Sequence, residues 1–170
     1  MTVVREAVVA DARAMAEVNA AGWRAGYRGL VPDEYVENLP VAQWRREMTV
    51  GLQSPRGDSF TRIAELEGSF AGYCFVAAPG REQPDGSRRA ELVALYVYPE
   101  RWGRGVGTAL LDAALAETEA RGYEAIELWT FEANERALRL YERAGFRPDG
   151  STRPFARTGT PTVRLSRPLP

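Results

Sequence analysis

Apolar positions along this chain change period several times, and each change marks an element. Val3, Val4, Val8 and Val9 crowd the stretch Thr2 to Val9, which reads as a first strand. From Ala12 to about Tyr27 the residues Met15, Val18, Gly22 and Ala25 recur at helical spacing behind Asp11, a good N-cap. Pro32 followed by Asp33 and Glu34 opens a second helix. Val41 to Leu52, with Trp44 and Met48 on one face, forms a third. Pro55-Arg56-Gly57-Asp58 is a turn, and the strands Phe60 to Glu67 and Ser69 to Ala78 meet at Gly68 as a hairpin. Pro79 to Arg89 is polar and reads as a surface loop.

The second half is organised around Glu91 to Leu111, ELVALYVYPERWGRGVGTALL. Leu92 to Tyr98 is a buried strand that Pro99 ends, because proline has no N–H for a ladder. Gly103, Gly105 and Gly107 then lead into a helix with Leu110, Leu111, Ala114, Leu115 and Thr118 on one face, stopped by Gly122. Ala125 to Phe131 alternates as a strand. Asn134 caps a helix to Ala144 that Gly145 ends, with Ala137, Leu140 and Tyr141 on one side. Phe146 begins a further strand, Gly150 to Pro161 is irregular, and Thr162 to Leu165 is a last, edge strand. Without internal repeat or dividing linker, this order predicts one α/β (α+β) domain over residues 1–170. Its mixed sheet of about seven strands, antiparallel first and a crossover second, carries helices on both faces.

The glycine stretch carries chemistry. Glycines keep side chains off a run of backbone N–H groups, and the helix that follows presents unpaired donors and the positive end of its dipole. Such a cradle binds phosphate or pyrophosphate. Composition narrows what accompanies it. The chain has no histidine, which removes Ser-His-Asp triads, histidine metal sites and histidine bases. All 22 basic residues are arginine, so neither a Walker lysine nor Schiff-base chemistry is available; Thr108 follows Gly107. Spacing of the form Gly-x-Gly-x-Gly, after a meander, does not fit a dinucleotide-binding βαβ unit. A net charge of −1 leaves no footprint for nucleic acid or an acidic membrane, and no apolar run is long enough to span a bilayer. The N-terminus lacks a signal-peptide shape, so a cytoplasmic protein is expected. Cys74, the single cysteine, lies in an apolar run and reads as a buried inert thiol. No metal site is expected.

Two segments together resemble the GCN5-related N-acetyltransferases, the GNAT superfamily. LVALYVYPERWGRGVGTALL is similar to that family's strand, pyrophosphate loop and helix. NERALRLYERAGF is similar to its later signature, filled here by Asn134, Ala137, Tyr141, Gly145 and Phe146. A weaker likeness, Arg5-x-Ala7 and then Trp23 to Leu30, extends it over most of the chain. One letter departs: Trp102 stands where the family usually has Gln or Arg, with Arg101 and Arg104 beside it.

The resemblance implies a splay between the fourth and fifth strands and acetyl-CoA as donor. The pyrophosphate would rest on the amides of Gly103, Arg104, Gly105, Val106, Gly107 and Thr108, and the pantetheine arm on the backbone of Leu95, Tyr96 and Val97. Asn134 would add a contact to the cofactor. Tyr141 would protonate the departing thiolate, its other reading being core packing. A base is needed for the attacking amine. Glu91 matches a glutamate used so in some members, or is a solvent-facing strand end; Glu127 and Glu132 are lesser candidates. Trp23 and Tyr27, with Arg24 and Arg28, would line the acceptor pocket, or are core and surface respectively. The implied activity is direct N-acetylation of a primary amine on a small molecule or a peptide. The rivals are a non-catalytic acyl-CoA sensor and an acyltransferase using another acyl-CoA. A homodimer is compatible with all of these.

Overall fold

A computed structural model of the chain describes residues 1–78 and 85–170; most of the polar loop expected at Pro79 to Arg89 lies outside them. Seven strands form one sheet: β1 (Thr2–Glu6), β2 (Phe60–Leu66), β3 (Ser69–Ala77), β4 (Arg89–Val97), β5 (Ala125–Phe131), β6 (Arg147–Pro154) and β7 (Pro161–Pro168). They hydrogen-bond in the order β1-β2-β3-β4-β5-β7-β6, antiparallel throughout except for the parallel pair β4–β5. Among the described residues five helices flank it: α1 (Ala12–Gly26), α2 (Asp33–Glu37), α3 (Val41–Gln53), α4 (Val106–Ala120) and α5 (Glu135–Arg143).

Strand alternation assigns the faces. Ala64, Cys74, Val76 and Leu92 pack toward α4, whose Leu110 and Leu111 are buried and each contribute about 2 kcal/mol of apolar burial. Ile63 and Tyr73 turn the other way, onto Met15 and Val18 of α1. Cys74 is fully buried with its thiol 3.6 Å from the Leu110 carbonyl, and burial pushes it up to about 12. It is inert, as its apolar surroundings imply.

Three expectations need correction. β1 stops at Glu6, and Val9–Asp11 form a 3-10 turn. Asp11 does not cap α1 with its side chain. Its carboxylate accepts from the Val8 N–H at 2.8 Å and from both Arg5 Nη atoms at 2.8 Å, while Arg5 Nε donates to Glu65 at 2.7 Å. The ion pair therefore ties β1, β2 and the α1 entrance together. Finally, the segment from Gly150 is not irregular: β6 runs to Pro154 and occupies the edge, and β7 is interior, between β5 and β6. Pro148, Gly150 and Pro154 hid β6 from any alternation, and its pairing skips residues between Pro148 and Thr152 as a bulge.

The Arg5 pair yields a stability prediction. The guanidinium is the largest cause holding the Asp11 carboxyl below its ordinary 3.8, so its contribution exists above that value and is lost as pH falls through the lowered one. Arg5→Ala is expected to cost about 2 kcal/mol by urea unfolding at neutral pH, below the figure for a fully buried pair because Arg5 is partly exposed. The deficit shrinks once Asp11 is protonated in acid. A deficit that persists undiminished there assigns the loss to packing instead.

Candidate functional site

The site begins as a gap in the sheet. β4 and β5 pair only from Arg89 to Glu91 against Ala125 to Glu127, and then part. The cause lies on the other side of β4. Phe75 of β3 faces Ala94 but Val76 faces Leu92, so Val93 is a bulge with no partner, and the extra residue bends β4 away from β5. The Tyr98 N–H turns to β3, onto the Ala71 carbonyl at 2.9 Å. By strand alternation the backbone groups of Val97 and Leu95 then face the gap, and those of Tyr96 face β3. A cleft of about 980 Å³ fills the opening.

At its end, Gly103 and Gly105 carry φ of 73° and 80°, left-handed conformations that glycine adopts without a side-chain clash. Gly105 stands at the N-cap of α4 with no side-chain cap. The Trp102 N–H bonds to Pro99 and the next amide to find a backbone acceptor is that of Ala109, on Gly105. Among the described residues the six N–H groups from Gly103 to Thr108 have no well-formed hydrogen bond and are left for a ligand, at the positive end of a 15-residue helix.

Trp102 has a local task. Its indole N–H donates to the gap-facing Val97 carbonyl at 2.8 Å, and the Arg136 guanidinium stacks on its ring. This indole pins the loop to the strand end. The flanking arginines are held by the β2–β3 hairpin: Glu67 pairs with Arg104 at 2.7 Å and Arg101 at 3.6 Å. Arg104 therefore turns out of the cleft, and the Val106 side chain is buried in the core. Only the backbone of these two serves the loop.

Across the gap, Asn134 is buried and caps α5, its Oδ1 accepting from the Ala137 N–H at 3.3 Å. Asn134 lines the cleft, and its amide N–H₂ has no hydrogen bond among the described residues. Two turns on, Tyr141 also lines the cleft; its ring packs edge-on to Phe146 at 5.8 Å. Burial pushes its phenol up, so the hydroxyl stays protonated.

Glu91, Trp129 and Phe131 face α1. There Gly22 lets the helix close on Tyr96, since a Cβ would stand 2.8 Å from the ring Cδ1. Trp23 Nε1 donates to the Tyr96 hydroxyl at 3.1 Å, and that hydroxyl meets the one on Tyr27. Trp23 packs edge-on to Tyr27 and Phe131 and tilted on Phe155, an aromatic wall along the cleft. Of the two carboxylates side by side in the β4–β5 register, Glu127 is taken by Arg164 at 2.9 Å and Arg89 at 3.5 Å. Glu91 has no ion pair among the described residues. Desolvation is the largest cause raising its pKa; Arg153 opposes the rise and Glu127 adds to it.

Trp23, Tyr27, Glu91, Asn134 and Tyr141 thus come together with the β4 backbone and the glycine loop around one cleft. Glu132 does not reach it. Arg24 and Arg28 are exposed and lie off the cleft, so of their two expected places they take the surface; the end of α1 and the residues just after it turn Trp23 and Tyr27 inward and the arginines out. The arginines that do line it are Arg101, from the turn before the glycine loop, and others from α5 and β6. Sequence reading missed Arg153 and Phe155 because their placement follows from β7 sitting inside β6, and it missed Trp129 on β5 as well. Trp129 alone carried a signal, as an inward position on the alternating β5.

Residues 23–146 match the model of a family described as the acetyltransferase (GNAT) family. A segment is 50% identical over 62 residues to a mycothiol acetyltransferase of Propionibacterium freudenreichii subsp. shermanii, covering 36% of this chain and 20% of that protein. The chain thus spans about a fifth of that relative's length. An uncharacterized N-acetyltransferase of Bacillus subtilis, YuaI, is 28% identical over 141 residues, 79% of this chain and 74% of that one. In fold, the PaiA N-acetyltransferase of Thermoplasma acidophilum, solved in complex with coenzyme A, superposes with a TM-score of 0.80 over 99% of both chains at 20% identity. The family match runs from Trp23 on α1, through the unpaired amides before α4, to Phe146 at the end of the second signature; over that span, most of its length, the chain belongs to the acetyltransferase (GNAT) family.

Proposed function

We propose that residues 1–170 form one acetyltransferase domain that moves the acetyl group of acetyl-CoA directly onto a primary amine of a small molecule or peptide. The observation that carries this reading is the row of six amides at Gly103 to Thr108, unpartnered among the described residues, opening onto a sheet gap. In it, those amides hold the pyrophosphate. The gap-facing backbone of Leu95 and Val97 pairs with the pantetheine arm as an added strand would, and Tyr96 serves through its side chain on the opposite face. Asn134 offers its amide N–H₂. The donor supplies an activated thioester.

The chain's own groups do the rest. Glu91, free of an ion pair among the described residues and with its proton affinity raised, takes the ammonium proton through water. The Val97 N–H, on the gap side, donates to oxygen charge as it develops. Tyr141, held protonated, donates to the departing sulfur. The aromatic wall excludes water from the reacting centre and orients the acceptor.

Thiol release from acetyl-CoA across an amine panel tests the activity; none with any amine, while acetyl-CoA binds, rejects it in favour of a sensor. Glu91→Gln tests the base. Glu91 must be ionised to accept a proton, so the acid limb of the kcat profile lies above the ordinary glutamate value. The variant is expected to lose that limb and about 10- to 100-fold in kcat at neutral pH. A raised folded pKa also means that ionised Glu91 destabilises the fold as pH rises, so the variant melts higher at neutral pH. An unchanged profile returns the role to another group.

A further inference from the structure

Beside the cleft lies an adjoining cavity of about 680 Å³, and Glu91, Trp129 and Arg153 line both. Four arginines surround this second space: Arg56, Arg89, Arg153 and Arg164. Two of them are neutralised, since Arg164 bridges Glu127 and Asp149 and Arg89 reaches Asp85 and Glu127. Among the described residues Arg56 and Arg153 form no ion pair, and Arg153 acts on Glu91 only through its charge. With acids outnumbering bases 23 to 22 over the whole chain, two unpaired cations at one concavity are not a general surplus.

Arg153 is also held in place. Its backbone is fixed in the β6–β7 ladder opposite Thr162, whose hydroxyl donates to the Arg153 carbonyl at 2.6 Å. Its guanidinium lies over the Trp129 ring, 3.9 Å from the centroid. A stacked guanidinium keeps its N–H groups in the plane of its edge, free for a bidentate oxyanion. It shares the lining of the cleft with Glu91 and with the apolar wall of Trp23, Phe131 and Phe155.

We propose that the acceptor is an amine that also carries an oxyanion, a carboxylate or a phosphate, which Arg153 reads with Arg56 beyond it. The ammonium then meets Glu91, the anion meets Arg153, and any apolar part meets the aromatic wall. This rests on the acetyl-transfer reading above, whose acceptor it specifies.

The test is thiol release from acetyl-CoA with matched pairs: α-amino acids beside their carboxamides, and O-phosphoethanolamine beside ethanolamine. The anionic member of at least one pair is expected to lead by roughly 10- to 100-fold in kcat/KM, carried by KM. The pair that discriminates identifies carboxylate or phosphate. Arg153→Gln, at an exposed edge position, should reduce that lead to about twofold, with Arg153→Lys between, because lysine keeps the charge but not the fork. Arg13→Gln, on the far end of α1, should preserve it. Neutral members that match their anionic twins, or a lead that survives Arg153→Gln, overturn the proposal and leave acetyl transfer standing. Absence of thiol release with every amine overturns the transfer reading, and this proposal with it.

Discussion

Tyr141→Phe is expected to lower kcat by about two to three orders of magnitude while leaving acetyl-CoA affinity within about twofold. The ring is buried and packs against Phe146, and phenylalanine keeps that packing. The hydroxyl has no hydrogen bond to the described residues, so its removal orphans no buried donor or acceptor, and the melting temperature should hardly move. What is lost is a proton at the cleft, held on oxygen by burial at any physiological pH. Single-turnover thiol release with saturating amine reads the chemical step, and calorimetry reads donor affinity. A full rate in the first measurement reduces Tyr141 to a packing residue.

Gly105→Glu should act on binding instead. At φ 80° any side chain strains the backbone by about 1 kcal/mol, yet no heavy atom lies within 4 Å of the added Cβ, so the fold survives. The carboxylate would then sit at the mouth of the six unpaired amides and compete for them as the phosphates would. Acetyl-CoA affinity is expected to fall by more than about 100-fold. Gly105→Ala, with the same strain and no charge, should lose only severalfold. Calorimetry that finds unaltered affinity in Gly105→Glu removes the loop from the donor site.

Local features were legible in the sequence. The strand, glycine loop and helix between Glu91 and Leu111, and the Asn134 cap with its helix, depend on neighbours in the chain, and the structure has them with nearly the expected bounds. Non-local ones were not. Nothing in the apolar run Leu92 to Tyr98 marks Val93 as a bulge, because its register is set by β3. That β7 lies inside β6 is a property of sheet order, and Pro148, Gly150 and Pro154 suppress the alternation that would have announced β6. Arg153 and Phe155 reach the cleft through that order, so both went unread. Trp102 was read as the irregular letter of its loop; its bond to the Val97 carbonyl needed coordinates.

The parting of β4 and β5 has a thermodynamic side. Sheet proteins ordinarily bury or blunt every edge, whereas this one keeps two facing edges open in its interior, bridged only from Arg89 to Glu91. A ligand that spans them supplies ladder bonds the chain itself omits, and it binds the folded state alone. At a hundred times its dissociation constant it would add about 2.7 kcal/mol to the folding free energy. The sheet is, in this sense, a strand short, and its melting temperature becomes a gauge of how much of the missing strand the solution contains.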